Sequence, residues 1–273
     1  MTSTSDREWD AAGYDVLAEP QREWGRRVLA RLPLRGDETV LDAGCGAGGL
    51  TAELLERLPH GRVIAIDASR QMTALTRERL EPRFGARIQV ITADIGSLEL
   101  DKAVDAIFSN AVFHHIADHD TLFACLYRAL IPGGRLVAQC GGGPNLVVVR
   151  AHIAAAAADD PLLAPLVGWD GPWNNADAAA TWARLHRAGF CDIQTSVAPA
   201  PVPFNDVERL RAHLTTIILR SHLHRLGQER AREHLLDAVV ARMATDEPPF
   251  TLDHWRLNIS ARRPAVGEPA ASR

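Results

Sequence analysis

The chain predicts an α/β fold, a mostly parallel sheet with helices on both of its faces. Three observations carry this. Short apolar runs alternate with segments of helical periodicity from about residue 20 to residue 140. The first of those runs empties into a glycine cluster, Gly44-Cys-Gly-Ala-Gly-Gly49, that opens directly onto a helical pattern. The alternation continues through the Pro132-Gly-Gly134 turn into a fifth run, and strands and helices of this length imply a parallel sheet covered on both faces.

The elements follow in order. Residues 1–8 are polar and expected to be disordered. Pro20 to Leu32 reads as a helix with Trp24, Val28 and Leu29 on one face. Residues 38–42 form a first strand, and Leu50, Leu54, Leu55 and Leu58 mark the helix after the glycines. A second strand spans 62–67, a second helix 69–80, a third strand 87–91 and a fourth 104–108. A helix over 118–130 keeps Leu122, Leu126 and Leu130 in register. The Pro132-Gly-Gly134 turn leads to a fifth strand at 135–140. The second half is less regular. Residues 144–175 are rich in Ala, Pro, Asn and Trp and read as an insertion. A helix over 176–188 ends at Gly189, a strand covers 192–197, and 205–244 holds two helical stretches parted near Gly227. A last strand runs from about 251 to 261, and the Pro/Ala-rich tail 264–273 is expected to be mobile.

The organisation expected is a lid and helix at 1–32, a binding core at 33–143, an insertion at 144–175, and the rest of the fold at 176–263 with a helical cap at 205–244. Composition narrows the function. Thirty Lys and Arg against 34 Asp and Glu give a net charge of −4, with no basic run, so no nucleic-acid partner is expected. Lys102 is the only lysine, which argues against Schiff-base chemistry. Cys45, Cys125, Cys140 and Cys191 form no Cys-x-x-Cys pair and suit reduced thiols in a cytoplasmic protein. The N-terminus has no signal-peptide pattern, and no apolar run is long enough to span a bilayer, so no membrane partner is expected.

A glycine loop between strand and helix lets a ligand approach the backbone and presents free N–H groups. Here it reads equally as Gly44-x-Gly46-x-Gly48 or as the dinucleotide pattern Gly44-x-Gly46-x-x-Gly49. Asp67 ends the second strand about 20 residues on, where a carboxylate meets ribose hydroxyls. Loop and carboxylate leave S-adenosylmethionine (SAM) and NAD both open. Asp42, just before the first glycine, and Asp94, after the third strand, separate them.

With those residues in place, Val40-Leu-Asp-Ala-Gly-Cys-Gly-Ala-Gly48, Ile64-Ala-Ile-Asp67, Ala93-Asp94-Ile95 and the Pro132-Gly-Gly134 turn resemble the class I SAM-dependent methyltransferases. The resemblance implies a Rossmann-like seven-stranded sheet with an antiparallel last strand, and SAM as cofactor. It implies that Gly44, Cys45, Gly46 and Gly48 cradle the methionine part. Asp67, flanked by Ala68 and Met72, would hold the ribose; Asp94 and Ile95 the adenine; and Asn110 would line the methionine or acceptor side. Trp9-Asp-Ala-Ala-Gly-Tyr14 is similar to the N-terminal lid of the trans-aconitate methyltransferase-like branch, which also carries a late helical insertion. Ala12 and Gly13 depart from that lid, and Phe113-His114-His115 replaces the branch's Gln-Trp pair, so its substrate is not carried over.

The partner expected is a small-molecule methyl acceptor, with O-methylation of a carboxylate or hydroxyl ahead of C- or N-methylation. Oligomeric state is not legible. A carboxylate acceptor needs no base, whereas a hydroxyl, amine or carbon acceptor can need one. His114 and His115 are the candidate bases, and capping or packing is their alternative role. Tyr14 is a candidate to close over the sulfonium. Trp169 and Trp173 could form an acceptor wall or a local core. Arg220 could pair with an anionic acceptor. His213, His222, His224 and His234 lack ligand spacing, and no metal is expected. Two other functions compete: a SAM-fold protein that regulates or catalyses a cyclisation, and an NAD-dependent oxidoreductase. The latter is weakened because neither Tyr14 nor Tyr127 forms a Tyr-x-x-x-Lys pair with Lys102.

Overall fold

The computed structural model describes residues 8–268, so the N-terminal seven residues expected to be disordered, and positions 269–273 of the tail, lie outside it. The sheet elements are β1 (Thr39–Ala43), β2 (Arg62–Asp67), β3 (Ile88–Thr92), β4 (Val104–Asn110), β5 (Leu130–Gly141), β6 (Cys191–Pro199) and β9 (Trp255–Arg262). Their order is β3-β2-β1-β4-β5-β9-β6. The first five are mutually parallel, and β9 runs antiparallel to both β5 and β6. This is the seven-stranded, mostly parallel arrangement expected from the motifs. Strands β1 and β2 are buried almost throughout, as central parallel strands are. The edge strand β6 alternates between half-buried and exposed residues instead.

Helices α1 (Ala11–Leu17), α2 (Glu19–Ala30), α3 (Gly49–Glu56), α4 (Arg70–Phe84), α5 (His119–Ala129) and α7 (Ala178–Ala188) surround the sheet. Two apolar layers result. One gathers Leu41, Ile66, Ile107, Phe123, Leu136 and Phe190; the other gathers Val28, Leu54, Val63, Phe84 and Phe108. Caps set the helix starts: Ser69 Oγ accepts from Met72 N at 3.3 Å, and Asp118 Oδ1 accepts from Thr121 N at 3.0 Å. Helix α4 outruns its expected end at residue 80, passing Pro82 in its last turn and closing at Gly85. Strand β5 begins at Leu130, with the Pro132-Gly-Gly134 turn bulged out between the Val104↔Leu130 and Ala106↔Arg135 pairs.

The largest departure is in the second half. The insertion 144–175 contains a 13-residue helix, α6 (Val147–Asp159). Its alanine run has no strong apolar face to mark it, so periodicity missed it. It packs with α8 (Val207–His213), a π-helical turn at Leu214–Ile218, α9 (Arg220–Arg225) and α10 (Glu229–Met243) around one core of Val149, Ile153, Leu163, Leu214, Leu235 and Val239. Two segments expected to be separate therefore form a single cap. The last strand is also split. β8 (Thr251–Leu252) pairs with β7 (Val202–Pro203), and Asp253 breaks the run because its carboxylate accepts from Val148 N at 2.9 Å at the start of α6.

Candidate active site

A cavity of about 1090 Å³ opens where the carboxyl ends of β1, β2 and β4 meet the cap. Its wall joins Gly44, Gly46, Asp67, Ala68, Met72, Asp94, Ile95 and Asn110 to Tyr14, His114 and His115. Cys45 and Asp42 face a small adjoining chamber together with Gln21. Gly48 lines neither space. It caps the start of α3, and a Cβ on it would meet Thr76 and Leu80 at 3.0–3.1 Å, so its lack of a side chain lets α4 close on the loop.

The glycine loop is tied to β2. Gly44 N and Cys45 N donate to Ile66 O at 2.8 and 2.9 Å, and Thr76 Oγ1 donates to Gly46 O at 2.8 Å. Gly46 has φ +53°, and a Cβ there would meet no atom within 4 Å, because the position opens into the cavity. Asp67 Oδ2 accepts from Gly46 N at 3.0 Å and Oδ1 from Ser69 N at 2.9 Å. Burial raises its pKa above the usual carboxylate range, against the pull of those N–H groups. Asp42 is fully buried, accepts from Thr51 Oγ1 at 2.7 Å, and is pushed up to about 7 by burial.

Ala111 turns the chain after β4 at φ +61°, which brings residues 112–115 over the cavity. Gly141 N donates to His114 Nδ1 at 3.2 Å, so the neutral ring carries its proton on Nε2. Burial first, then His115 and Arg256, hold His114 well below the usual imidazole range. The His115 ring lies 4.1 Å from that of His114 and 5.6 Å from Trp9, and its surface opens onto the cavity. Enclosure by the walls, with Arg220 and Arg256 nearby, pushes it down to about 4. Both histidines are therefore neutral at pH 7. Tyr14 packs edge-on against Trp9 at 5.4 Å. Burial and the Asp67 carboxylate push its phenol up to about 12, so it keeps its proton.

A methyltransferase-domain profile matches residues 40–134. The chain is 32% identical over 251 residues to the trans-aconitate 2-methyltransferase of Methylobacterium radiotolerans, an alignment covering 75% of this chain and 95% of that protein. The chain belongs to the class I SAM-dependent methyltransferases, near the trans-aconitate branch. A trans-aconitate 2-methyltransferase from Azoarcus sp. is 39% identical over 131 residues, which is 48% of this chain and about half (50%) of that protein's length. In fold, the methyltransferase is similar to Haemonchus contortus phosphoethanolamine N-methyltransferase 2 solved with S-adenosylhomocysteine, at TM-score 0.61 and 20% identity over 93% of this chain and 57% of that one.

The cofactor is SAM, and the described residues fit it. Gln21 Oε1 and Asn110 Oδ1 are buried acceptors with no partner, both on residues lining the small chamber beside Asp42, where an ammonium group would find acceptors. Gln21 was not legible as a site residue, since it sits in an ordinary helix 89 positions from Asn110, to which it is joined by Asn110 Nδ2 donating to Gln21 O at 2.8 Å.

The cap supplies the far wall of the methyltransferase. Trp169 and Trp173 flank the His222 ring at 4.8 and 5.4 Å, so they form a local core and a cavity wall at once. Arg220 Nη1 donates to Glu8 O at 2.7 Å and its guanidinium lies 4.3 Å from the Trp9 ring centre, joining cap to N-terminal segment. His213 and His234 lie away from the cavity wall; His234 Nδ1 pairs with Asp160 at 2.7 Å. Arg256 also lines the cavity, although it is only 4% exposed. Sequence reading missed it. The available signal was a lone arginine in the apolar run Trp255-Arg-Leu-Asn-Ile259.

Proposed function

We propose that this methyltransferase esterifies a carboxylate of a small polyanionic acid, with trans-aconitate, the substrate in its relatives' names, as the first acceptor to test. One observation carries the reading: charge is partitioned along the cavity. The acidic side chains of the wall, Asp67 and Asp94, belong to the cofactor motifs. The acceptor half presents Arg220, Arg225 and Arg256 and, among the described residues, no carboxylate. Such a wall attracts an anion and repels amines.

The chemistry agrees. Bound SAM supplies a methyl group already activated by its sulfonium. Transfer to a carboxylate oxygen of the acceptor would form an O–C bond as the C–S bond broke, leaving a methyl ester and a neutral thioether that keeps the electron pair, with no proton to remove. The chain's tasks are alignment and exclusion of water. Neutral His114 and His115 suit that role, orienting the acceptor rather than deprotonating it. The phenol of Tyr14 and the Trp9 ring roof the junction of the two halves. Four unpaired cysteines are consistent with a reducing, cytoplasmic setting. Among the described residues no helix is long and apolar enough to cross a membrane.

The test is methyl transfer from labelled SAM to trans-aconitate and to a panel of acids, phenols and amines. Label that alkali releases as methanol marks an ester. Alkali-stable label on a phenol or amine would overturn the carboxylate reading while leaving the methyltransferase assignment intact.

A further inference from the structure

Arg256 is a buried arginine on the cavity wall. It stands on β9 opposite Gly141 of β5, whose N–H holds His114, so it belongs to the rigid sheet rather than to the cap. Its guanidinium makes one hydrogen bond among the described residues, from Nε to Gln139 Oε1 at 3.3 Å, and lies 4.4 Å from the Trp24 ring centre. Nη2 is buried with no partner. Among the described residues no carboxylate pairs with this cation, whereas other half-buried arginines, such as Arg262 and Arg211, have one. Burial lowers its pKa to about 10, so it stays charged at neutral pH. A buried cation without a counter-ion is costly, and structures retain one where a ligand completes it. Gln139 is itself held, donating from Nε2 to Asn258 Oδ1 at 2.8 Å, so Arg256 is pre-positioned.

We infer that Arg256 anchors a carboxylate of the acceptor that is not methylated, and so selects acids with two or more carboxylates and fixes which one reacts. This rests on the carboxylate reading above. A carboxylate forked onto a guanidinium has both oxygens engaged and its charge neutralised, which makes it a poor nucleophile. The reacting carboxylate is then a different one, held toward the cofactor half near His115 and Tyr14. An acid with a single carboxylate satisfies either the anchor or the reaction, not both. Gln139 is the positioning residue for the anchor.

The experiment uses the full chain saturated with S-adenosylhomocysteine, titrated calorimetrically with trans-aconitate and with crotonate as a one-carboxylate analogue, alongside turnover with SAM. For the wild type, trans-aconitate binds and is methylated and crotonate is poor in both. Arg256→Gln weakens trans-aconitate binding about thirtyfold, leaves the poor turnover of crotonate no better than in the wild type and leaves S-adenosylhomocysteine affinity unchanged. Arg256→Lys, which keeps the charge without the fork, recovers part of the loss. Gln139→Leu reproduces a smaller version of it and covers the case in which Arg256→Gln fails to fold. Equal binding of trans-aconitate by wild type and Arg256→Gln, or crotonate turned over as well as trans-aconitate, overturns the anchor while carboxylate methylation stands. A wild type that methylates phenols or amines and binds none of the acids overturns both.

Discussion

The two halves of the cavity are built by opposite strategies. The cofactor half comes from consecutive βα units. Gly44, Gly46, Asp67, Ala68, Asp94 and Asn110 fall within 67 positions and occupy the ends of adjacent parallel strands, β1, β2, β3 and β4. The acceptor half draws Trp9, His114, Trp173, Arg220 and Arg256 from five separate regions, and only tertiary packing brings them together. In the first half the backbone makes the site; in the second, side chains make it. Substitutions should therefore be severe and general on the cofactor side, and milder and acceptor-dependent on the other.

The largest effect is expected at Gly46. A valine there would be forced to φ +53°, and its side chain would project into the open volume of the cavity. Gly46→Val should leave no calorimetrically detectable S-adenosylhomocysteine binding, with a native circular dichroism spectrum. Normal binding would show that the loop is only a turn. Next comes Asp67→Ala, which removes the acceptor for both Gly46 N and Ser69 N as well as the proposed ribose contact. S-adenosylhomocysteine affinity should fall by about 1.5–3 kcal/mol, with the acceptor dependence of the remaining activity unchanged. Unaltered affinity would remove Asp67 from the site.

The same contrast explains what could be read in the chain. The parallel strands announce themselves as apolar runs, and β1 to β4 each lead into a motif residue at the cavity. That made β1 to β4 and the residues that line the cavity at their carboxyl ends legible. Gly48 shows the limit of this: it stands in the motif but serves the packing of α4 against the loop. The cap was harder. Helix α6 is an alanine and valine segment whose apolar residues point all round, so its partner, the core formed with α10, cannot be seen from its own pattern. Arg256 depends on Gln139, Trp24 and a strand pairing 115 residues distant, none of which leaves a local mark.

On the acceptor side, Arg220 sharpens the comparison. It lines the cavity from α9 while holding Glu8 and Trp9 of the N-terminal segment. Arg220→Gln should raise the KM for a polycarboxylate about tenfold while S-adenosylhomocysteine affinity changes by less than about threefold. Equal losses for cofactor and acceptor would mean that the N-terminal segment, not the charge, is what Arg220 supports.

His115 should give the smallest effect, and that smallness is informative. A general base contributes roughly 10²–10⁴-fold to a rate. A carboxylate acceptor has no proton to surrender, and His115, pushed down to about 4, is already neutral throughout the physiological range. A base titrating near its ordinary value would make activity fall as pH drops through about 6.5, whereas a group already neutral above about 4 leaves no such limb. His115→Gln should lower kcat less than about threefold, and the wild type and the variant should share one pH profile of kcat/KM between about pH 6 and pH 8. Acid will still unfold the chain. His213 and His222, both buried and both lowered to about 4, are neutral in the fold and charge more readily out of it. Each contributes a loss of up to about 1.4 kcal/mol per pH unit as pH falls from about 6.5 toward 4. The activity profile must therefore be read above that window, where a hundredfold loss in His115→Gln would restore the histidine as a base and make a hydroxyl the better acceptor.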